Sequence, residues 1–214
     1  MKLDDILEEG PLTWKQRVAA GLLAASSTLP FVHKAHEYQE QTRAEAQAQQ
    51  EAQAGVQEHQ KARAKKENLV HQISADFNVG VNEIKYIMNL ADKYENPDFP
   101  TAEDILAVIR IESEFNAQAK SKLKKDPAIG LMQVRPKTNG LKRSDLQTRE
   151  QQIKHGTAVL SKYYSILKDK QAALEAYNVG LRNYRNGHRA PRYINKFKNA
   201  IAYINTPTPA AHNK

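Results

Sequence analysis

The chain of 214 residues contains no cysteine, and that excludes disulfides, thiolate metal sites and a cysteine nucleophile at once. Aromatic residues are sparse, with a single Trp, and glycine and proline are each held to nine. No Gly-rich phosphate cradle and no Gly-x-Ser-x-Gly elbow occurs. The seven histidines are scattered. His33 and His36 lie three apart but lack a carboxylate or further His at ligand spacing, so no metal and no cofactor are expected. Long apolar runs are missing too. A membrane-spanning helix needs about 20 predominantly apolar residues, whereas Pro30 interrupts the uncharged stretch from Val18 to Val32, so no stable membrane span is expected.

What is present is charge, unevenly placed. The formal net charge is +8. Residues 68–119 hold three Lys/Arg against nine Asp/Glu, while residues 120–205 hold nineteen against five. A basic face of this kind attracts polyanions, and nucleic acid, anionic membrane and cell-wall polymer all qualify; a merely solubilising surface has the same composition.

Organisation follows from composition. Residues 1–34 begin acidic, at Asp4, Asp5, Glu8 and Glu9. Lys15 and Arg17 then precede an alanine-rich core at 18–25 with Ser26 and Ser27 behind it. That layout fits a short packing helix or a weak, cleavable export signal. Residues 35–67 are an Ala/Gln/Glu/Lys tract with almost no large apolar side chain, read as a helical or disordered spacer softened at Gly55. The apolar pattern returns at Leu69, and a domain is read at 68–205, followed by a disordered tail at 206–214.

Within that domain the pattern is helical, with no convincing strand and at most a small β element. Leu69, Val70, Ile73 and Phe77 share one face, and after Asn78-Val79-Gly80 a second helix carries Val81, Ile84, Ile87 and Met88. Such a pair at 69–91 could form a DNA-binding helix-turn-helix or the start of a packed domain. The exposed Asn82, Glu83, Lys85 and Asp92 mix both signs, which argues against phosphate contact, and no nucleic-acid partner is expected. Thr101 with Asp104 reads as a capping box that starts the next helix. Ser144-Asp145-Leu146 reads as a further helix start, and Ile153, Gly156, Val159, Leu160, Tyr163 and Leu167 mark a long amphipathic helix. Residues 171–177 form another, 182–190 a basic loop, and Pro191 opens a last helix with Ile194, Phe197 and Ile201 on its face.

Glu112 is the chemically pointed residue. Ile105, Val108, Ile109 and Glu112 fall at i, i+3, i+4 and i+7, placing a carboxylate at the end of an aliphatic stripe. Burial there raises a carboxyl pKa toward what a general acid needs, whereas rotation to the edge leaves it an ordinary solvated acid. Most glycosidases need two carboxylates, and Glu114, Asp126, Asp145 and Glu175 have no spacing that sets them opposite Glu112.

Four ordered blocks carry more than periodicity. Ile109-Arg110-Ile111-Glu112-Ser113-Glu114-Phe115-Asn116 is followed by Ala119 and Ser121, then by Ala128-Ile129-Gly130-Leu131-Met132-Gln133-Val134-Arg135-Pro136. Ala176-Tyr177-Asn178-Val179-Gly180 and Tyr193-Ile194 come later. Together, over about residues 100–204, they resemble the soluble lytic transglycosylases, a family that includes the goose-type lysozymes. Ala117 stands where that family usually has Pro, and the basic insert 120–126 replaces a short Gly-containing loop.

The resemblance implies a mainly α, lysozyme-like domain that cleaves the β-1,4 bond between N-acetylmuramic acid and N-acetylglucosamine in peptidoglycan glycan strands, leaving 1,6-anhydro ends. It implies Glu112 as acid and then base. Ser113, Met132, Gln133, Tyr177 and Asn178 would contact substrate, and Tyr193 would hold the Glu112 carboxyl. Two other readings stand beside it: a goose-type hydrolase with a second carboxylate, and a basic, non-catalytic cell-wall or DNA-binding protein. A peptidoglycan substrate places the work in the periplasm or cell wall, reached by export, by lysis or in a virion. The spacer and the weak signal-like start lean toward a bacteriophage protein.

Overall fold

The structure, a computed structural model, describes residues 14–207, with side chains from residue 42 onward. The acidic start, the signal-like side chains at 15–27 and the tail from 208 lie outside the described residues. The chain divides into two compact units, Met1–Lys61 and Ala62–Lys214.

In the first unit the described residues belong to helix α1, Trp14–Phe77. Neither Pro30 nor Gly55 interrupts it. Every side chain from 42 to 61 is exposed, Val56 included, as a tract with almost no large apolar residues dictates.

The second unit is a helical bundle, and no named strand occurs among its described residues. After the end of α1 come α2, Val81–Tyr94, and α3, Ala102–Ser113. Two short 3-10 helices, Lys137–Asn139 and Arg143–Leu146, precede α4, Arg149–Leu167. The chain closes with α5, Lys170–Val179; α6, Leu181–Arg185; and α7, Pro191–Asn205. The described residues of the domain are all-α. Its β content is two isolated bridges, Lys120–Ile129 and Ile129–Val134, which fold the basic insert back on itself.

Local chemistry sets the helix ends. At α3 the capping box is complete: the Asp104 amide donates to Thr101 Oγ1 at 3.3 Å and the Thr101 amide to Asp104 Oδ2 at 3.0 Å. At α4 the cap is Thr148 with Gln151, later than the 144–146 start expected from sequence, because Arg143–Leu146 winds only into a 3-10 turn. The basic stretch expected as a loop after Gly180 winds into α6.

Helix α3 is the centre. Five consecutive residues, Ile105 to Ile109, are buried, which requires neighbours on every side, and α2 and α7 both pack against it. Fully burying one such aliphatic side chain contributes about 1.5–3 kcal/mol. The Arg110 guanidinium stacks 4.2 Å from the Tyr203 ring, while the Tyr203 hydroxyl donates to Asp76 at 2.7 Å, joining α3, α7 and the end of α1. Leu69, Val70 and Ile73 of α1 and Ile84, Ile87 and Met88 of α2 are buried in the same core. On α7 the buried residues are Tyr193, Ile194, Ala200 and Ile204, with Phe197 and Ile201 only partly covered; the face is rotated from the one expected.

Candidate active site

Glu112 sits in the last turn of α3, where the buried stripe reaches the edge of a cavity of about 240 Å³. Burial pushes its carboxyl up to about 7, against a smaller downward pull from Tyr193 and the charge of Lys196. Tyr193, buried on α7, donates its hydroxyl to Glu112 Oε1 at 2.9 Å. Burial and the neighbouring Glu112 charge hold the Tyr193 hydroxyl well above its ordinary pKa, so it stays protonated and can only donate to the ionised carboxylate.

Among the described residues Glu112 is the one carboxylate lining this cavity. The other acids are occupied elsewhere. Glu114 is exposed and takes the left-handed conformation that ends α3. Asp145 accepts from the Lys142 amide at 2.9 Å. Glu175, buried on α5, accepts from the Ala190 amide at 3.3 Å and pairs with Arg189, fixing the start of the helix that carries Tyr193. Asp126 is buried as well. Burial alone would raise its carboxyl, but the Thr138 hydroxyl and the amides of Lys137 and Thr138 outweigh that and hold it below the ordinary value.

The turn at Gly130–Gln133 places Gln133 in the cavity wall. Gly130 has φ +75°, and a Cβ there would lie 2.1 Å from Gln152 Cδ, so only glycine fits. Gln152 explains the closeness. It is buried on α4, accepts from the Leu131 amide at 2.9 Å, and donates to the carbonyls of Ala117 at 3.2 Å and Leu146 at 3.1 Å. Sequence reading missed this residue, although a signal exists: Gln152 lies four residues before Gly156, on the apolar stripe of α4, where a polar residue needs an explanation.

The residues singled out from sequence divide here. Gln133 lines the cavity; its side-chain amide donates to Ala119 O at 3.0 Å and Gly130 O at 2.9 Å, which leaves its carbonyl oxygen unspent by those bonds. Tyr177 and Asn178, at the end of α5, line the facing wall. The Tyr177 hydroxyl donates to Met132 O at 2.6 Å, bracing the two walls together. Met132 and Ser113 do not line the cavity. Met132 is fully buried with its sulfur beside Thr157, and the Ser113 hydroxyl donates to Leu131 O at 2.8 Å and Ile109 O at 3.1 Å. The Ser113 hydroxyl and the Met132 carbonyl both help to fix the Leu131–Gln133 turn. Arg135, Thr138, Asn139, Val159 and Tyr163 line the cavity without having been singled out.

No group of three or more His, Asp or Glu that could hold a metal ion occurs among the described residues. None of the described helices is long and apolar enough to cross a membrane.

A carboxyl pushed up to about 7 at the edge of a polar cavity is suited to give a proton to a leaving group and take one back. The chain belongs to the transglycosylase SLT domain family, whose model matches residues 85–199. That membership makes peptidoglycan the substrate and points to lytic transglycosylase activity on it. No curated protein and no solved structure matches the chain.

Proposed function

We propose that the protein is a peptidoglycan lytic transglycosylase in which Glu112 alone serves as acid and then as base. The observation that carries this reading is the pairing of a carboxyl pushed up to about 7 with the lack of a second acid in its cavity, among the described residues. A hydrolase of the inverting or retaining kind needs a second carboxylate to activate water or to attack carbon. A single group suffices if the nucleophile comes from the substrate.

In the first step protonated Glu112 gives its proton to the oxygen linking N-acetylmuramic acid to N-acetylglucosamine, and the C1–O bond breaks with its electron pair leaving on that oxygen. The acetamido carbonyl of the muramoyl residue supports the positive centre at C1. Glu112, now a carboxylate steadied by the Tyr193 hydroxyl, takes the proton from the muramoyl 6-hydroxyl as that oxygen bonds to C1. Glu112 is thereby reprotonated, a 1,6-anhydro ring results, and no water is consumed. The Gln133 carbonyl oxygen suits the acetamido N–H, and Tyr177 and Asn178 would hold the same sugar from the facing wall.

In this reading residues 68–205 carry catalysis, residues 35–67 act as a spacer, and the enzyme reaches the cell wall by export, lysis or carriage in a particle. Mass spectrometry of fragments released from purified sacculi tests the chemistry. Muropeptides one water lighter than hydrolysis products are expected from the wild type and none from Glu112→Gln. Reducing-end products from the wild type would overturn the mechanism.

A further inference from the structure

A second cavity, of about 400 Å³, shares the Lys137–Asn139 turn with the one that holds Glu112: Thr138 and Asn139 line the first, Lys137 the second. Its walls carry Lys125, Lys137, Lys142 and Arg143, all exposed. None of these four side chains forms an ion pair among the described residues. The one acid lining the groove, Asp126, is buried, bonded to Thr138 and the Lys137 amide and paired with Arg135, so none of the four cations pairs with it and positive charge is in excess there. Residues 120–143 as a whole hold eight Lys/Arg against this single acid. Like charges gathered on a concave wall repel one another and focus a positive potential that only an anion relieves.

We propose that this groove is a subsite for the acidic peptide stem of the muramoyl residue bound in the catalytic cavity, an assignment that rests on the transglycosylase reading. The stem leaves the sugar through its lactyl ether and carries free carboxylates. A sugar beside Glu112 places that substituent against the Lys137–Asn139 turn, and the carboxylates pass over it onto Lys125, Lys142 and Arg143. The concave shape and the shared wall favour a substituent of the bound substrate over a separate polyanion. A membrane surface would need exposed apolar side chains among the cations; Pro127 and Pro136 of the groove are buried, Leu141 is partly covered, and the exposed Leu123 of the insert lies outside it.

The test uses the full chain with Glu112→Gln, to stop turnover, and measures by titration calorimetry its binding to soluble glycan strands that carry stems and to the same strands after an amidase removes the stems. Binding to the stem-bearing polymer should be about tenfold tighter, and added salt should narrow that gap. Adding Lys125→Ser, Lys142→Ser and Arg143→Ser should abolish the difference while leaving affinity for stripped glycan unchanged. Lys142→Glu alone, at one exposed position, should shrink it in the same order, which guards against misfolding of the triple variant. Equal loss on both polymers, or no loss on either, would overturn the proposal. So would a loss seen instead with phosphatidylglycerol vesicles or duplex DNA. Wild-type digestion of the stem-bearing polymer is scored separately: failure to form anhydro ends there rejects the catalytic reading, while the binding gap judges the groove.

Discussion

The cost of holding Glu112 where it is can be measured without any substrate. Burial keeps its carboxyl at about 7 against an unperturbed 4.5, so between those pH values the native state retains a proton that the unfolded state has released. Stability therefore falls as pH rises through that window and levels off above about 7. At 1.36 kcal/mol per pKa unit the full penalty is about 3 kcal/mol, and the solvent that reaches the carboxyl through the cavity reduces it to about 1–3 kcal/mol. Glu112→Gln keeps the shape and an acceptor for the Tyr193 hydroxyl but removes the charge. Urea unfolding of the full chain at pH 5, 6, 7 and 8 should show a small difference at pH 5. By pH 8 the variant should be more stable than wild type by about 1–3 kcal/mol, a gain at the expense of activity. A difference independent of pH, or one that grows toward acid, would refute the account of a carboxyl kept neutral by burial.

Tyr193→Phe removes the donor that favours the ionised carboxylate. The alkaline limb of kcat/KM should then move upward from about 7 by roughly one unit as overall activity falls; a stationary limb would leave the hydroxyl without an electrostatic part. Gly156→Ala would set a Cβ 2.5 Å from Met132 Sδ and 2.6 Å from Met132 Cβ. The displaced Met132 should cost about 1–3 kcal/mol in thermal unfolding, and weaken glycan binding because its carbonyl receives the Tyr177 hydroxyl. An unchanged melting temperature would show that the α4 contact is slack.

Much of the helical frame is written locally. The Thr101–Asp104 box, the Pro191 start of α7 and the stripe of Ile105, Val108 and Ile109 rest on neighbours three or four residues apart or on a single ring constraint, so the sequence alone determines them. The ends of α1 and α2 around Asn78–Gly80 are of the same kind. The uninterrupted α1, the 3-10 turn in place of a helix start at 144–146 and the winding of α6 escaped, because one glycine in an alanine-rich tract or a few cations near a turn shift a weak local balance by only about 1 kcal/mol.

The cavity is another matter. Periodicity put Glu112 at the end of an apolar stripe and left open whether it was buried; only the packing of α7 against α3 desolvates it and brings the Tyr193 hydroxyl across 81 residues of sequence. Met132 turns inward and Gln133 outward because Gln152, Tyr177 and Gly156, on two other helices, fix the turn between them. A carboxyl's pKa is set by everything within a few ångströms of it. Sequence spacing along one helix fixes a part of that surrounding, and the tertiary fold supplies the rest.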